Sequence, residues 1–217
     1  MPGPGATTKR LVDLVVASVG TGLLFPLLLL AALCIKLDDR GPVFFRQERV
    51  GRGEKRFRIW KLRTMVADAE SRGLGVNVSS DDDRITRVGR ILRNWGLDEL
   101  PQLFNVLVGE MSLVGPRPTL PYQVKYYDDF QRRRLEMKPG ITSLAVVSGR
   151  NALSWKERIE LDVWYIDHWS FWLDVRILFR TLWCVLVIRE GLYGVDGVND
   201  PFVPPTEDHG EETQCDA

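Results

Sequence analysis

Residues Leu14 to Ile35 read LVVASVGTGLLFPLLLLAALCI, a run of 22 positions without a charged side chain. A straight helix that rises about 1.5 Å per residue would carry such a run across a hydrocarbon core of about 30 Å. Pro26 lies near its middle, lacks a backbone donor and clashes with the carbonyl of Gly22. We therefore expect a break that divides the run into Leu14 to Phe25 and Leu27 to Ile35, each too short to cross.

Basic residues flank this run on both sides, with Lys9 and Arg10 before it and Lys36 and Arg40 after it. Positive charge normally marks the cytoplasmic end of a membrane helix, so two basic ends favour a re-entrant helix-break-helix anchor that dips in and returns. A straight spanning helix kinked at its proline stays open as an alternative. Asp13 lies just inside the apolar edge, where a charge is costly unless it is paired or interfacial, so we assign it an anchoring role.

Two further interpretations of the run are weaker. A buried core helix is rarely this long without charge. A secretory signal peptide would need a small residue before its cleavage site, and Leu33 precedes Cys34.

Composition indicates one ordinary globular domain beyond the membrane segment. The 217 residues are 27% charged and 45% hydrophobic, and 29 basic residues balance 29 acidic ones. The balance hides an asymmetry: nine Lys or Arg lie between Arg40 and Arg63, whereas the chain beyond Arg189 carries eight acids and no Lys or Arg. The basic stretch suits anionic head groups or a phosphorylated substrate. Residues 191–217 are predicted to form an acidic, disordered tail.

Cysteine and histidine give no site. Cys34, Cys184 and Cys215 are far apart and form no ligand spacing, which excludes a disulfide framework and a zinc site and fits a reducing cytoplasm. His168 and His209 lie in no Ser/His/Asp or Cys/His arrangement.

Hydrophobic periodicity predicts a small β-hairpin and several helices. Val43 to Gln47 and Phe57 to Leu62 are short apolar and aromatic runs separated by a glycine-containing loop. Helices are predicted over Ile85 to Trp95, Phe130 to Met137, Ser154 to Trp169 and Trp172 to Ile188. A polar loop is predicted over Ser71 to Asp83, and its three aspartates are interpreted as a solvated cap of the next helix rather than a metal site.

Five of the seven tryptophans fall in the last two predicted helices. Because Trp prefers the head-group level of a bilayer, this enrichment favours amphipathic helices that lie in the membrane plane. Trp155, Ile159, Val163 and Ile166 recur at helical spacing and would form the apolar face, although packing of the same face in a protein core is the alternative.

The chemistry is concentrated around Asp98 and Glu99. The two adjacent carboxylates open an apolar run with Pro101 in its first turn, so they could simply cap a helix. Arg93 lies one turn upstream, and Arg117 follows between two prolines, where a rigid loop would present its guanidinium to an anion such as phosphate. This combination predicts a site.

These residues belong to motifs that together resemble the monotopic phosphoglycosyl transferases, also called the bacterial sugar transferase family. The resemblance covers roughly residues 9 to 188. It is to the short form of the family, in which the catalytic domain stands without extra spanning helices. The motifs are KRLVD (9–13), the Pro26-containing run, GPVFFRQ (41–47), KLRTM (61–65), LDELPQL (97–103), NVL (105–107), GEMSLVGPRP (109–118), KPGIT (138–142) and SGRN (148–151).

The resemblance implies a reaction. Such an enzyme transfers a sugar 1-phosphate from a UDP-sugar to a polyprenyl phosphate, expected to be undecaprenyl phosphate, and releases UMP. The family uses Mg²⁺ and a ping-pong route, in which Asp98 would be the nucleophile that forms an aspartyl-phosphosugar intermediate and Glu99 would support it; both carboxylates are the expected metal ligands.

The remaining site residues are expected at the phosphates. Lys61, Arg63, Arg93 and Arg117 are assigned to the phosphates of the nucleotide sugar by motif match. Lys9 and Arg10 are assigned to the lipid-linked phosphate or to membrane anchoring by their position, together with Asp13 and Pro26. No Walker-type glycine loop is present, so side-chain cations must bind phosphate.

One departure concerns the break: family members often carry Ser before the proline, and this chain has Phe25. Thr21 or Ser18 could bond a freed carbonyl instead. Two other functions stay open, a noncatalytic membrane scaffold and a glycosyltransferase that releases UDP.

The expected class is therefore α+β, mostly helical and membrane-associated. Residues 1–10 would be a basic segment, 11–37 the re-entrant anchor, 38–190 a catalytic domain on the cytoplasmic face of the bacterial inner membrane and 191–217 the tail. The expected partners are a UDP-sugar, polyprenyl phosphate, the lipid bilayer and downstream glycosyltransferases, with a homo-oligomer allowed and no nucleic acid.

Overall fold

The computed structural model describes residues 4–67, 69, 82–149 and 152–185. The acidic tail at 191–217, most of the polar loop, the Arg150–Asn151 part of one motif and the end of the last predicted helix lie outside the described residues. The α+β class is confirmed. The described elements, in chain order, are α1 (Pro4–Asp39), β1 (Phe44–Val50), β2 (Arg56–Leu62), α2 (Arg87–Asn94), α3 (Gln102–Val108), β3 (Ser112–Val114), α4 (Pro121–Val124), α5 (Asp129–Arg132), β4 (Gly140–Thr142), α6 (Leu144–Ser148), α7 (Trp155–Asp167) and α8 (Phe171–Trp183).

The predicted hairpin is confirmed. β1 and β2 pair antiparallel in a register that places Phe45 opposite Lys61, and a short 3₁₀ turn, Arg52–Glu54, connects them. One face of the hairpin packs into the protein through Phe57 and Ile59, which are buried, as the period of two along a strand requires. A second pair, β3 and β4, is parallel and was absent from the sequence prediction.

α1 is longer than predicted and continuous. It begins ten residues before Leu14, ends at Asp39 and includes Pro26 within one helix, so the prediction of two helices separated at Pro26 is wrong. A proline removes a single backbone donor, and packing of the helix on both sides of it onto the same domain holds the helical conformation. The sequence suggested that the Thr21 hydroxyl could bond a carbonyl freed by Pro26. In the structure this hydroxyl is buried and makes no hydrogen bond within the described residues.

The first turns of α1 are anchored by polar contacts with the domain. Lys9 Nζ lies 2.5 Å from Asp174 Oδ2 on α8. The Arg10 guanidinium donates to the carbonyls of Val106 and Leu107, at 2.6 and 2.9 Å, in the last turn of α3. These residues fasten the helix to the protein.

Asp13 shows why an acid is tolerated at the edge of an apolar run. Its buried Oδ1 accepts from Ser112 Oγ and from the backbone N–H of Leu113, at 3.1 and 3.0 Å. Asp13 thus fastens α1 to β3, and its predicted role in membrane anchoring stays a prediction. A buried carboxylate with two donors is far less costly than one left unpaired.

The far end of α1 is held in the same way. Asp38 Oδ2 accepts from the backbone N–H of Val88 at 3.1 Å, and Asp39 forms an ion pair with Arg63. Between the two ends, Ala17 packs in the main core and Leu28, Ala31 and Ile35 pack against β2 and α2. The opposite side of the helix is exposed and apolar, including Leu23, Leu29, Leu30 and Leu33. Gly5–Asp39 is long and apolar enough to cross a membrane.

The main core joins α1, the hairpin, α3, β3 and the two last helices. Its fully buried members include Val106, Met111, Tyr165 and Ile177. A second cluster lies between α4, the 3₁₀ turn Arg133–Leu135 and α7. Together they fix α3 and the segments next to it, which carry the site.

The two Trp-rich helices differ from each other. On α7, Ile159, Val163 and Ile166 are buried in the protein, so the prediction that this stripe faces a membrane is wrong and the core alternative holds. On α8, Trp172, Phe179, Leu182 and Trp183 are exposed, at 75%, 70%, 58% and 60%. The apolar face available to a membrane therefore belongs to α8 and α1.

Candidate active site

The two carboxylates lie on a single 3₁₀ turn, Leu97–Glu99, between α2 and α3. Gly96 begins the turn with a φ of 64°, a left-handed conformation that glycine adopts without steric cost. Pro101 caps α3 rather than occupying its first turn. The carboxylates therefore precede the helix, and neither side chain caps α3: the predicted capping alternative is not what the structure shows.

Lys61 reaches the turn from β2. Its Nζ lies 2.8 Å from Glu99 Oε1, and both side chains are about one-fifth exposed, at 21% and 22%. The buried Asn105 of α3 fixes this strand, because its Oδ1 accepts from the N–H of Trp60 at 3.0 Å and its Nδ2 donates to the carbonyl of Arg58 at 2.9 Å. Asn105 thus sets the position of β2, and with it Lys61, relative to the carboxylates.

Arg93 reaches the turn from α2. Gly89 lets this helix approach the backbone of Thr64 so closely that a Cβ at that position would lie 2.0 Å from the Thr64 carbonyl oxygen. Arg93 Nε donates to Thr64 Oγ1 at 2.8 Å, and the positive charge of the guanidinium acts to lower the pKa of Asp98. Gly89 and Thr64 therefore position the second cation.

Arg117 comes from the loop after β3, between Pro116 and Pro118. Its Nη2 lies 2.7 Å from Glu99 Oε1, so one carboxylate oxygen holds both Arg117 and Lys61. The loop presents this guanidinium to Glu99, and its predicted contact with phosphate stays a prediction. The structure brings together two carboxylates and three cations, and these are Asp98, Glu99, Lys61, Arg93 and Arg117.

The two carboxylates differ in their ionisation. Burial alone would raise the pKa of Glu99, but Arg117 and Lys61 together hold it well below its ordinary value, so Glu99 is a permanent anion. Burial raises the pKa of Asp98, and the negative charge of Glu99 adds to this, while Lys61, Arg93 and Arg117 act in the opposite direction. Two neighbouring carboxylates with pKa values pushed apart are typical of sites that assign them different roles.

Asp98 also differs from Glu99 in its contacts. Within the described residues its carboxylate accepts no hydrogen bond and makes no ion pair, whereas the bonds to Glu99 both reach Oε1 and leave Oε2 without one. A carboxylate surrounded by cations but bonded to none of them is free to attack an electrophile or to bind a cation.

The donor set permits one kind of metal. No group of three or more His, Cys, Asp or Glu side chains converges in the part of the chain that the structure describes. That argues against a closed protein cage, but Mg²⁺ is usually bound through one or two carboxylates together with substrate phosphates and water. The free oxygens of Asp98 and Glu99 fit such a site.

Other predicted site residues lie elsewhere. Arg63 is buried and paired with Asp39 at the end of α1, so the structure does not bring it to the carboxylates. Lys9, Arg10 and Asp13 anchor α1 as described above, and Pro26 lies within that helix.

Sequence reasoning missed the residues that support the site. Asn105 and Thr64 were inside recognised motifs, which gave a signal but no role. Arg134 and Asp162, which lie behind the Arg117 loop, were in no motif and had no local signal, since a buried pair formed across 28 positions of sequence becomes visible only after folding.

The site can be compared with known proteins. A family model described as bacterial sugar transferase matches residues 5–188. An uncharacterized sugar transferase, EpsL, of Bacillus subtilis is 46% identical over 184 residues, 85% of this chain and 89% of the relative. A UDP-glucose:undecaprenyl-phosphate glucose-1-phosphate transferase of Caulobacter vibrioides is 46% identical over 182 residues, 80% of this chain and 68% of the relative.

A third relative accepts a different sugar according to its name. It is a UDP-N-acetylgalactosamine-undecaprenyl-phosphate N-acetylgalactosaminephosphotransferase of Aeromonas hydrophila, 43% identical over 197 residues. These cover 86% of this chain but 45% of the relative, so the chain spans less than half of that protein.

We predict that Arg93→Gln raises the pKa of Asp98, because it removes one of the positive charges that favour the ionised carboxylate. The shift is measured by ¹³C NMR titration of the carboxyl carbons in metal-free buffer. Arg90→Gln is the matched control, since Arg90 is an exposed arginine on the same helix. An unchanged or lowered Asp98 pKa in Arg93→Gln would show that Arg93 does not act on this carboxylate.

Proposed function

Because the chain belongs to the bacterial sugar transferase family, we propose that it transfers a sugar 1-phosphate from a UDP-sugar to undecaprenyl phosphate and releases UMP. The observation that carries this proposal is the contact-free Asp98 carboxylate among Lys61, Arg93 and Arg117. A nucleotide sugar carries a diphosphate, and a carboxylate can attack it only where cations offset the repulsion between like charges.

In the first half of the reaction, an Asp98 oxygen attacks the phosphorus that bears the sugar. A bond forms between this oxygen and phosphorus, and the bond from that phosphorus to the bridging oxygen breaks, so UMP leaves with the bonding electron pair. The sugar phosphate is then esterified to Asp98 as an acyl phosphate. Lys61, Arg93 and Arg117 bind the phosphate oxygens and stabilise the charge that develops on UMP.

In the second half, a phosphate oxygen of undecaprenyl phosphate attacks the same phosphorus. The acyl-phosphate bond breaks, Asp98 regains its carboxylate, and the product is a lipid diphosphate sugar. Glu99 does not react in either half. Its role is to hold Lys61 and Arg117 at the phosphates through its Oε1, which its depressed pKa keeps ionised.

Mg²⁺ is proposed as the cofactor, held by Asp98 and Glu99. When bound, it would neutralise phosphate charge and polarise the phosphoryl group. The carboxylates would supply its protein ligands, and Lys61, Arg93 and Arg117 would bind the diphosphate.

The contacts of α1 support a topology in which both ends of this continuous helix lie on the same side of the membrane. Both ends contact one folded domain, Lys9 through Asp174 and Asp38 through the N–H of Val88. A helix that crossed a bilayer of about 30 Å would put its two ends on opposite sides, where one domain cannot contact both. We therefore place both ends on the cytoplasmic side of the inner membrane, with the exposed apolar faces of α1 and α8 in the lipid.

This placement suits the chemistry. The acceptor is a membrane lipid and the donor a soluble nucleotide, so the site must lie at the boundary between them. The product would be the first lipid-linked intermediate of a glycan, to be extended by glycosyltransferases. The relatives named above differ in sugar, so the donor is assigned here only as a UDP-sugar.

Asp98→Asn tests the nucleophile. The amide has the same shape but cannot form the acyl phosphate, so UMP release should fall by on the order of 10³-fold or more, while the protein stays folded. UMP is measured chromatographically with UDP-sugar, undecaprenyl phosphate and Mg²⁺ in nanodiscs. Asp129→Asn, at an exposed carboxylate of α5, is the matched control.

Two results would contradict the proposal. Near-normal turnover by folded Asp98→Asn would remove Asp98 from the chemistry. Release of UDP rather than UMP by the unaltered enzyme would indicate transfer of the sugar alone.

The placement of both ends of α1 on the same side predicts equal labelling of the two ends. Single cysteines at the exposed Thr7 and Leu37 positions, in a chain whose own cysteines are replaced by serine, should resist a membrane-impermeant maleimide in intact cells. Both should react in inside-out vesicles. Labelling of either cysteine from outside intact cells would establish a spanning helix.

A further inference from the structure

Behind the Arg117 loop lies an ion pair that the proposed reaction does not use. Arg134, in the 3₁₀ turn Arg133–Leu135, and Asp162, on α7, are 3% and 1% exposed, and Arg134 Nη2 lies 2.6 Å from Asp162 Oδ2. Removing two charges from water costs several kcal/mol per ion, and their attraction repays this cost only with excellent geometry. A buried pair of this kind is therefore weak evidence for stability and needs another explanation.

The contacts of the pair point to one. The Arg134 Nη2 that bonds Asp162 also donates to the backbone carbonyl of Arg117, at 3.2 Å. Burial raises the pKa of Asp162 to about 6, even though the neighbouring Arg134 guanidinium acts to lower it. The pair is thus largely ionised at neutral pH, and Arg134 contacts the Arg117 backbone at its carbonyl.

The neighbouring carbonyls are also bonded. The carbonyl of Pro118 accepts from Arg49 of β1 at 3.3 Å, and the carbonyl of Thr119 accepts from the N–H of Val50 at 2.9 Å. Three successive carbonyls of the loop, from Arg117 to Thr119, are therefore bonded by two elements of the fold, β1 and the 3₁₀ turn Arg133–Leu135. Of these bonds, the one at Arg117 itself is made by the buried pair.

A hydroxyl network extends the support. Arg134 Nη1 donates to the Tyr127 hydroxyl at 2.8 Å, and that hydroxyl lies 2.8 Å from Thr119 Oγ1. The Arg134 guanidinium also lies over the Trp155 ring, 5.4 Å from its centroid. Several contacts thus hold Arg134 in one orientation, so its Nη2 can keep the loop in place.

We propose that Arg134 and Asp162 are positioning residues, which hold the Arg117 backbone so that its guanidinium meets both Glu99 and the phosphates of the donor. The inference rests on the proposed function, because it assigns Arg117 to those phosphates. Arg117 is one of the two cations that contact Glu99 Oε1. Misplacement of a binding group by about 1 Å can lower the rate about 10²-fold. The buried pair fixes that position from the side away from substrate.

The test must separate positioning from stability. Arg134→Met combined with Asp162→Leu replaces both charges with apolar side chains of similar size, an exchange that is often neutral or stabilising for a buried ion pair. We expect a folded protein whose melting temperature stays within a few degrees of the original, whose kcat/KM for the UDP-sugar falls about 10- to 100-fold, and whose residues 115–120 exchange amide hydrogens faster.

The neighbouring ion pair is the matched control. Arg133 and Asp167 join the same turn to the same helix but are exposed, and neither contacts the Arg117 loop in the described residues. Arg133→Met with Asp167→Leu should leave both kcat/KM and the exchange of residues 115–120 unchanged.

A double-mutant cycle gives the deciding result. If the pair acts through Arg117, the apolar double change should cost less than about twofold when Arg117 is already alanine. The same fold loss in both backgrounds, or full activity of the apolar variant, would overturn the proposal. Should the apolar variant fail to fold, the same cycle is run with Asp162→Asn and with Arg134→Lys, which retain size.

Failure of the proposed function gives a different outcome. An unaltered enzyme that releases no UMP from any UDP-sugar contradicts the reaction and leaves the loop to be judged by hydrogen exchange alone. In that case, unchanged exchange of residues 115–120 in the apolar variant would overturn the positioning role as well.

Discussion

The site depends on one carboxylate oxygen that is shared by two cations. Glu99 Oε1 accepts from Lys61 at 2.8 Å and from Arg117 at 2.7 Å, and so ties a strand, a 3₁₀ turn and a loop into one arrangement. Without this anion, two like charges would face each other in a partly buried pocket and repel. The adjacent Asp98 can then stay free of direct bonds, because the charge balance around it is already set by Glu99. Asn105 positions the strand that carries Lys61, Thr64 positions Arg93, and Arg134 contacts the backbone of Arg117.

The N-terminal helix, α1, packs on the domain with one side and leaves the other side exposed and apolar. Its apolar surface is much larger than the domain covers, yet the side that meets the domain carries polar anchors at both ends, Asp13 at the first and Asp38 at the last. A purely apolar helix would have no preferred position against the domain, since apolar contact is non-directional. Hydrogen bonds that these two carboxylates accept from the domain supply the direction. The same helix can thus face lipid on one side and hold a defined position beside the active site on the other.

Much of this could be predicted from the sequence where the signal is local. The hairpin follows from two β-type runs and a glycine loop, and the carboxylate pair with Arg93 and Arg117 was found from short motifs. The parallel β3–β4 pair was missed because each strand has only three residues, too few for a periodic signal. Arg63 was assigned to phosphate by motif match, whereas its ion pair with Asp39 becomes visible only in the fold. Pro26 was expected to end a helix, but tertiary packing on both sides of it outweighs one lost hydrogen bond.

The central claim is that Asp98 carries the sugar phosphate between donor and lipid, and isotope exchange tests it most directly. The enzyme is incubated with unlabelled UDP-sugar, labelled UMP and Mg²⁺, without any lipid acceptor. A covalent intermediate makes the first half of the reaction reversible on its own, so label should enter the UDP-sugar, and this exchange should vanish in Asp98→Asn. An enzyme that makes lipid-linked product at a normal rate but shows no exchange without lipid would contradict the account and require direct transfer between the two substrates.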